Sequence, residues 1–192
     1  LSVETATLAG SVALARGEQM VAALAGDAGI SHSNTLLKDI DNVLHEAQVE
    51  LSEIDLFAVA TGPGSFTGLR IGIATIKGLA ATLDRSCAGV PTLHAVAHAA
   101  GASDRSVALL PAGRGEVFAL FSVTSDGLVT ELDKPTHISP QRLLERYGSL
   151  ESVLWCGEGA IANRELIEKH SGWQIAPPTQ NLAIHVASLA LT

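Results

Sequence analysis

The tightest constraint on this chain is a run of seven residues, Gly62-Pro63-Gly64-Ser65-Phe66-Thr67-Gly68, set between a short apolar segment and a stretch with helical spacing. Ile54 to Ala60 reads as a buried strand, and from Leu69 to Leu83 apolar residues recur at three and four. The unit is strand, glycine loop, helix. Such a turn can hold an anion, because the first N–H groups of a helix are unpaired and the helix dipole leaves partial positive charge there. Gly62, Gly64, Ser65 and Thr67 are the candidates for an anion or nucleotide contact. Two specific versions of that site fail on spacing. A Walker loop ends in Gly-Lys-Ser/Thr, whereas Gly68 is followed by Leu69-Arg70. A dinucleotide loop needs a third glycine where Thr67 stands, and Asp84 comes before the next strand rather than at its end. The plainer alternative is a tight turn stiffened by Pro63, with Ser65 and Thr67 as helix caps.

The helix beyond the loop has two stripes. Gly68, Gly72, Thr75, Gly78 and Thr82 leave one nearly bare, while Leu69, Ile73, Ile76, Ala80 and Leu83 make the other apolar. Glycine in a helix costs roughly 1 kcal/mol relative to Ala, so this composition predicts a compensating close approach by another helix, of this chain or of a partner. A second amphipathic helix, Asn34 to Ala47, carries Leu36, Leu37, Ile40, Val43, Leu44 and Ala47 at helical spacing, with Ser33 or Asn34 as its cap and His32 just ahead of it. Arg70 and Lys77 lie two turns apart on one face, where they can meet acidic partner residues or phosphate; Arg70 opposes the dipole of the first turn.

The remaining pattern is an α/β duplication. Leu1 to Thr5, Gly10 to Ala15 and Met20 to Ala25 read as a meander; Cys87 to Val90 reads as a strand and Leu93 to Ala100 as a helix. The small, polar stretch Gly101 to Ser106 divides an N-terminal lobe, residues 1–102, from a C-terminal lobe, residues 103–192. That second lobe reads as strands at Val107 to Leu110, Glu116 to Thr124 and Leu128 to Asp133, with turns at Gly113 to Gly115 and Asp126-Gly127. Helices at Gln141 to Tyr147, behind Ser139-Pro140, and at Ala160 to His170 then flank a strand at Val153 to Cys156. Each lobe thus opens in an antiparallel meander, has a mixed sheet and is flanked by helices.

Charge and composition exclude several functions. With a net charge of -8 and 12 scattered Lys and Arg, the chain lacks the basic cluster that tRNA binding by this chain alone requires. No apolar stretch approaches the ~18 residues of a membrane span, and Leu1 to Ala15, interrupted by Glu4, lacks signal-peptide features, so a cytoplasmic address is expected. Leu1 and the apolar run Asn181 to Thr192 read as truncated ends. Cys87 and Cys156 read as buried small apolar residues. His94 and His98 have the i, i+4 spacing of a metal pair, but with no intervening Glu and no third ligand they read as a surface or interface pair, and no metal is expected. Ser65 fails as a hydrolase nucleophile, since Gly64 directly precedes it and Thr67 occupies the place of the second elbow glycine.

Gly62 to Ala74, followed by Lys77-Gly78-Leu79-Ala80, resembles the signature of the TsaB family. Leu1 to Thr7 resembles its opening strand and turn, Gly115-Glu116-Val117-Phe118 its second-lobe hairpin, and Gly157-Glu158-Gly159-Ala160 a later turn. The resemblance spans nearly the whole chain, strongest over 54–93 and loose after 120. It implies an actin-like, Hsp70-like ATPase fold of the ribonuclease H-like class. It also implies a non-catalytic subunit that assists a TsaD-like enzyme and a TsaE-like ATPase in threonylcarbamoylation of the tRNA adenosine beside the anticodon. The partner interface it implies lies on the two helices, at Leu36, Leu37, Ile40, Leu44, Gly68, Arg70, Gly72, Ile73, Thr75 and Ile76, and the same helices allow a homodimer.

Departures from the family pattern bear on chemistry. Actin-like ATPases hold metal-bound phosphate with an aspartate on each lobe's first hairpin, whereas this chain has Glu4 and Pro111; where relatives place arginine it has Gly113, with Arg114 next. The expectation is therefore no catalytic residue and no intrinsic cofactor, with ATP or ADP pinned at the partner interface. TsaD-like enzymes carry a histidine pair after the equivalent strand, but alignment on Gly89-Val90 puts those positions at Thr92 and Val96, about 200° around a helix from His94 and His98. Two rival readings make distinct predictions: an autonomous actin-like ATPase or small-molecule kinase turns over ATP unaided, and a metallopeptidase shows chelator-sensitive proteolysis.

Overall fold

The computed structural model describes residues 1–27, 29 and 32–192, with 32–34 described by backbone alone. The capping role read for Ser33 or Asn34 and the side chain of His32 lie outside the described residues. Contacts divide the chain into two units, residues 1–95 with 180–192, and residues 96–179. The first unit contains strands β1 (Ser2–Glu4), β2 (Ser11–Arg16), β3 (Gln19–Ala25), β4 (Leu56–Ala60) and β5 (Ser86–Val90), in the order β3-β2-β1-β4-β5. β1 runs antiparallel to β2 and parallel to β4. Helices α1 (His32–Ala47), α2 (Phe66–Thr82) and the C-terminal α7 (Ala183–Leu189) flank that sheet.

Side-chain size alternates row by row across these strands, and this alternation decides which helix covers which face. One row reads Leu24, Val12, Val3, Val59 and Gly89; it joins Phe57 and Leu14 against Leu36, Ile40, Val43 and Leu44 of α1 and Ile76 and Ala80 of α2. The next row reads Ala23, Ala13, Ser2, Ala58 and Ala88, all small. Successive residues of a strand face opposite sides, so the small row forms the other face. There α7 can approach closely, and hydroxyls tie it down: Ser2 Oγ donates to Ala183 O at 2.8 Å, and the Ala183 amide donates to Ser11 Oγ at 2.9 Å.

The second unit is built on strands β6 (Ser103–Gly113), β7 (Glu116–Ser125), β8 (Leu128–Glu131), β9 (Thr136–Ile138), β10 (Val153–Cys156) and β11 (Trp173–Ile175). Their order is β11-β10-β6-β7-β8, and β9 pairs with β7 beyond the end of β8. Helices α4 (Pro140–Tyr147), α5 (Glu158–Ala162) and α6 (Arg164–Ile167) contribute Leu143, Leu144, Tyr147, Ala160 and Ile167 to a core around Val107, Leu109, Trp155 and Trp173. The Trp155 and Trp173 rings lie 4.9 Å apart between centroids. Helix α3 (Thr92–Ala99) runs across the division between the units.

Several sequence readings are corrected here. Residues 180–192 belong with the first unit rather than the second lobe, because α7 matches the small-residue face of the first sheet. The polar stretch at 101–106 is not wholly linker: β6 starts at Ser103, and the Ser106 hydroxyl pairs with Ser122 Oγ at 3.0 Å across the β6–β7 ladder. The helix read over Ala160 to His170 is two short ones, interrupted at Asn163, whose Nδ2 donates to Gly159 O at 2.8 Å. Cys156 is buried as expected, whereas Cys87 is exposed on the edge strand β5.

Two measurements check this packing. Ala58→Leu places a branched side chain in the row beneath α7, and overpacking of that kind lowers stability by about 1–3 kcal/mol; a urea unfolding midpoint equal to wild type contradicts the close fit. Burial pushes the Cys156 thiol up to about 12, so in the native protein a thiol reagent is expected to titrate Cys87 promptly and Cys156 only after unfolding.

Candidate functional site

The glycine loop leaves β4 through a Gly62-Pro63 cis peptide and is fastened on both sides by its own chain. The Gly62 amide donates to Thr92 Oγ1 at 3.0 Å, and its carbonyl accepts from the Thr92 amide at 2.8 Å. The Ser65 amide donates to Ala6 O at 2.7 Å, drawing the loop against the turn after β1. Gly64 lies so close to Ala6 that a Cβ there would strike its carbonyl and methyl. Ser65 is the N-cap of α2, its Oγ accepting from the Gly68 amide at 3.2 Å. Thr67 is not a cap; it sits exposed in the first turn. Of the four anion candidates, Gly62, Gly64, Ser65 and Thr67, the amides of Gly62 and Ser65 are thus bonded within the chain, as is that of Gly68 in the first turn of α2.

Glu4, only 1% exposed, ends β1. Its two carboxylate oxygens accept from the Thr7 amide and the Thr7 hydroxyl, each at 2.7 Å. This carboxylate braces the turn between β1 and β2. In the second unit Pro111 is exposed opposite Val117, and Gly113, Arg114 and Gly115 make the hairpin with φ of +79°, +53° and +78°. His94 and His98 are half-buried on α3, where burial lowers the His98 pKa. Among the described residues no group of three or more His, Cys, Asp or Glu is placed to hold a metal ion.

The two amphipathic helices pack side by side, and the structure corrects which of their faces is available. The inward stripe of α2 is Gly68, Gly72, Ile76 and Ala80. A Cβ on Gly72 would collide with Thr5 Oγ1, which donates to Gly68 O at 2.8 Å. The close approach that Gly68 and Gly72 permit is therefore made by Thr5, the residue after β1 of the same chain, not by a foreign helix. Leu36, Ile40 and Leu44 likewise point into the core, and Ile73 and Thr75 are half-buried. Of the ten residues expected at the interface, Leu37 and Arg70 are exposed, Leu37 at 66%.

What remains outside is a second strip along α2: Phe66, Arg70, Ala74, Lys77, Gly78 and Ala81. Phe66 is 67% exposed, with the Arg70 guanidinium 4.0 Å from its ring centroid. Beyond it the strip is low, and a Cβ on Gly78 would have nothing within 4 Å. Beside it α1 presents Leu37, Lys38, Asp41, Asn42, His45 and Glu46. Phe66, in the glycine run by sequence, is the first residue of α2, and neither it nor Ala74 is among the interface residues expected from the sequence.

The chain resembles known proteins over most of its length. Residues 26–185 match the family described as "TsaD: tRNA N6-adenosine threonylcarbamoyltransferase". It is 30% identical over 181 residues to the tRNA threonylcarbamoyladenosine biosynthesis protein TsaB of Escherichia coli (strain K12), covering 92% of this chain and 73% of that protein. Identity to the protein of the same name from Bacillus subtilis (strain 168) is 25% over 170 residues, or 88% and 74% of the two chains. The structure of YeaZ from Pseudomonas aeruginosa superposes with a TM-score of 0.83 at 29% identity, covering 98% of this chain and 88% of that one. The two-sheet α/β architecture fits the actin-like, ribonuclease H-like fold.

The contact between Thr5 and α2 yields a double-mutant test. Gly72→Ala is expected to destabilise the wild-type protein by about 1–3 kcal/mol through overpacking against the Thr5 hydroxyl. In a Thr5→Ala background, where that hydroxyl is gone, most of the penalty should vanish and helix propensity should favour alanine. Equal penalties in both backgrounds, by urea unfolding, contradict the contact.

Proposed function

The chain belongs to the TsaB family of tRNA threonylcarbamoyladenosine biosynthesis proteins, and we propose that it serves that modification as a non-catalytic subunit, presenting the outer faces of α1 and α2 to a TsaD-like enzyme. The observation that carries this reading is the two-sidedness of α2: its inner stripe is filled by Thr5 and the core, while its outer strip is apolar at Phe66, low at Ala74, Gly78 and Ala81, and left exposed by the described residues. Helices pack at about 8–10 Å where small side chains meet, and Ala74, Gly78 and Ala81 offer such a seat. Arg70 and Lys77 flank it on α2, with Asp41 and Glu46 beside it on α1, so the face suits a partner helix that carries charges of both signs.

Three features support a role through contact rather than chemistry. Both oxygens of Glu4 are engaged by Thr7, Pro111 has no side-chain group to ligate a metal, and the amides of Gly62, Ser65 and Gly68 are bonded to the chain. ATP or ADP then belongs to the assembled complex, with a TsaE-like ATPase as the further partner. The scarcity of basic residues supports recognition of tRNA by the enzyme rather than by this chain. A tRNA substrate supports a cytoplasmic setting for this role; no helix among the described residues is long and apolar enough to cross a membrane. The same strip lets two copies pair, in competition with the enzyme.

Co-purification with the TsaD-like enzyme of the same organism tests the interface. Ala74→Arg and Gly78→Arg add bulk on the exposed strip, where arginine is tolerated in a helix. Each is expected to weaken the complex at least tenfold, about 1.4 kcal/mol, and to reduce threonylcarbamoylation in the reconstituted system, with unfolding midpoints near wild type. An undiminished complex with both variants rejects the face. A separate assay addresses catalysis: the purified chain alone is expected to release no phosphate from ATP, and turnover abolished by Glu4→Gln would establish the autonomous ATPase instead.

A further inference from the structure

We draw no further inference here: the strongest candidate, the cavity of about 250 Å³ between the end of β2 and the start of β4, lined by Leu14, Arg16, Asp55, Leu56 and Leu191, is an unpartnered opening beside the first residue of the chain, and nothing in the structure shows what covers it.

Discussion

Three successive residues, the last of β1 and the two that follow it, govern the architecture of the first unit. Glu4 holds the following turn through both oxygens, Thr5 reaches across to the Gly68 carbonyl and fills the space beside Gly72, and Ala6 accepts the Ser65 amide and packs on Gly64. Because Thr5 and Ala6 grip α2 and its leading loop at adjacent points, the helix has little freedom to roll about its axis. Its outward strip is thereby fixed as firmly as its inward one. A side chain larger than hydrogen at Gly72 would push the helix off this seat, which explains why a glycine stands where helix propensity disfavours it; at Gly64, in the loop, a Cβ would strike Ala6.

The same economy of size appears across the sheet. The row centred on Val3 is branched and faces α1 and α2, while the row centred on Ser2 is small and admits α7. Both faces of the first sheet are therefore occupied by elements of this chain. Neither can offer a large surface to a partner without unfolding something, so a docking surface on this unit has to be sought on the outside of a covering helix. The adjacent α1 and α2 present the apolar Phe66 and Leu37 there, beside a run of side chains no bulkier than alanine at Ala74, Gly78 and Ala81. The proposed role as an assisting subunit thus follows from what the core has already consumed.

How far this was legible in the sequence depends on the range of the interactions. The strand, glycine loop and helix were readable because each rests on neighbours: an apolar strand, a serine cap, and apolar residues at helical spacing. The phase of α2 was not. Thr75 and Gly78 are as small as the true continuation of the stripe is apolar, and steps of four residues drift by about 40° per step, so Gly68 and Gly72 lead on to Ile76 and Ala80. What distinguishes the two continuations is Thr5, far away along the chain and invisible to any local pattern. The return of α7 to the first sheet is hidden for the same reason, since its anchors are Ser2 and Ser11. β9 and β11, of three residues each, were not read as strands.

The polar groups at the head of this unit also bear on why a nucleotide-binding architecture would serve a contact role. A phosphate site needs donors and a carboxylate held open, solvated and strained toward a ligand that is absent part of the time. Here several of those groups are engaged within the chain: carboxylate to Thr7, the Ser65 and Gly62 amides to Ala6 and Thr92, and the Ser65 cap to Gly68. Buried polar groups that are fully paired stiffen their surroundings, whereas the same groups left waiting for ligand do not. Stiffness is of direct use to a surface that must meet another protein, because a helix already fixed in orientation loses less freedom on association. A β1 turn closed on itself and a sharply oriented α2 are in this sense one feature, and it favours binding at the outer strip over turnover at the loop.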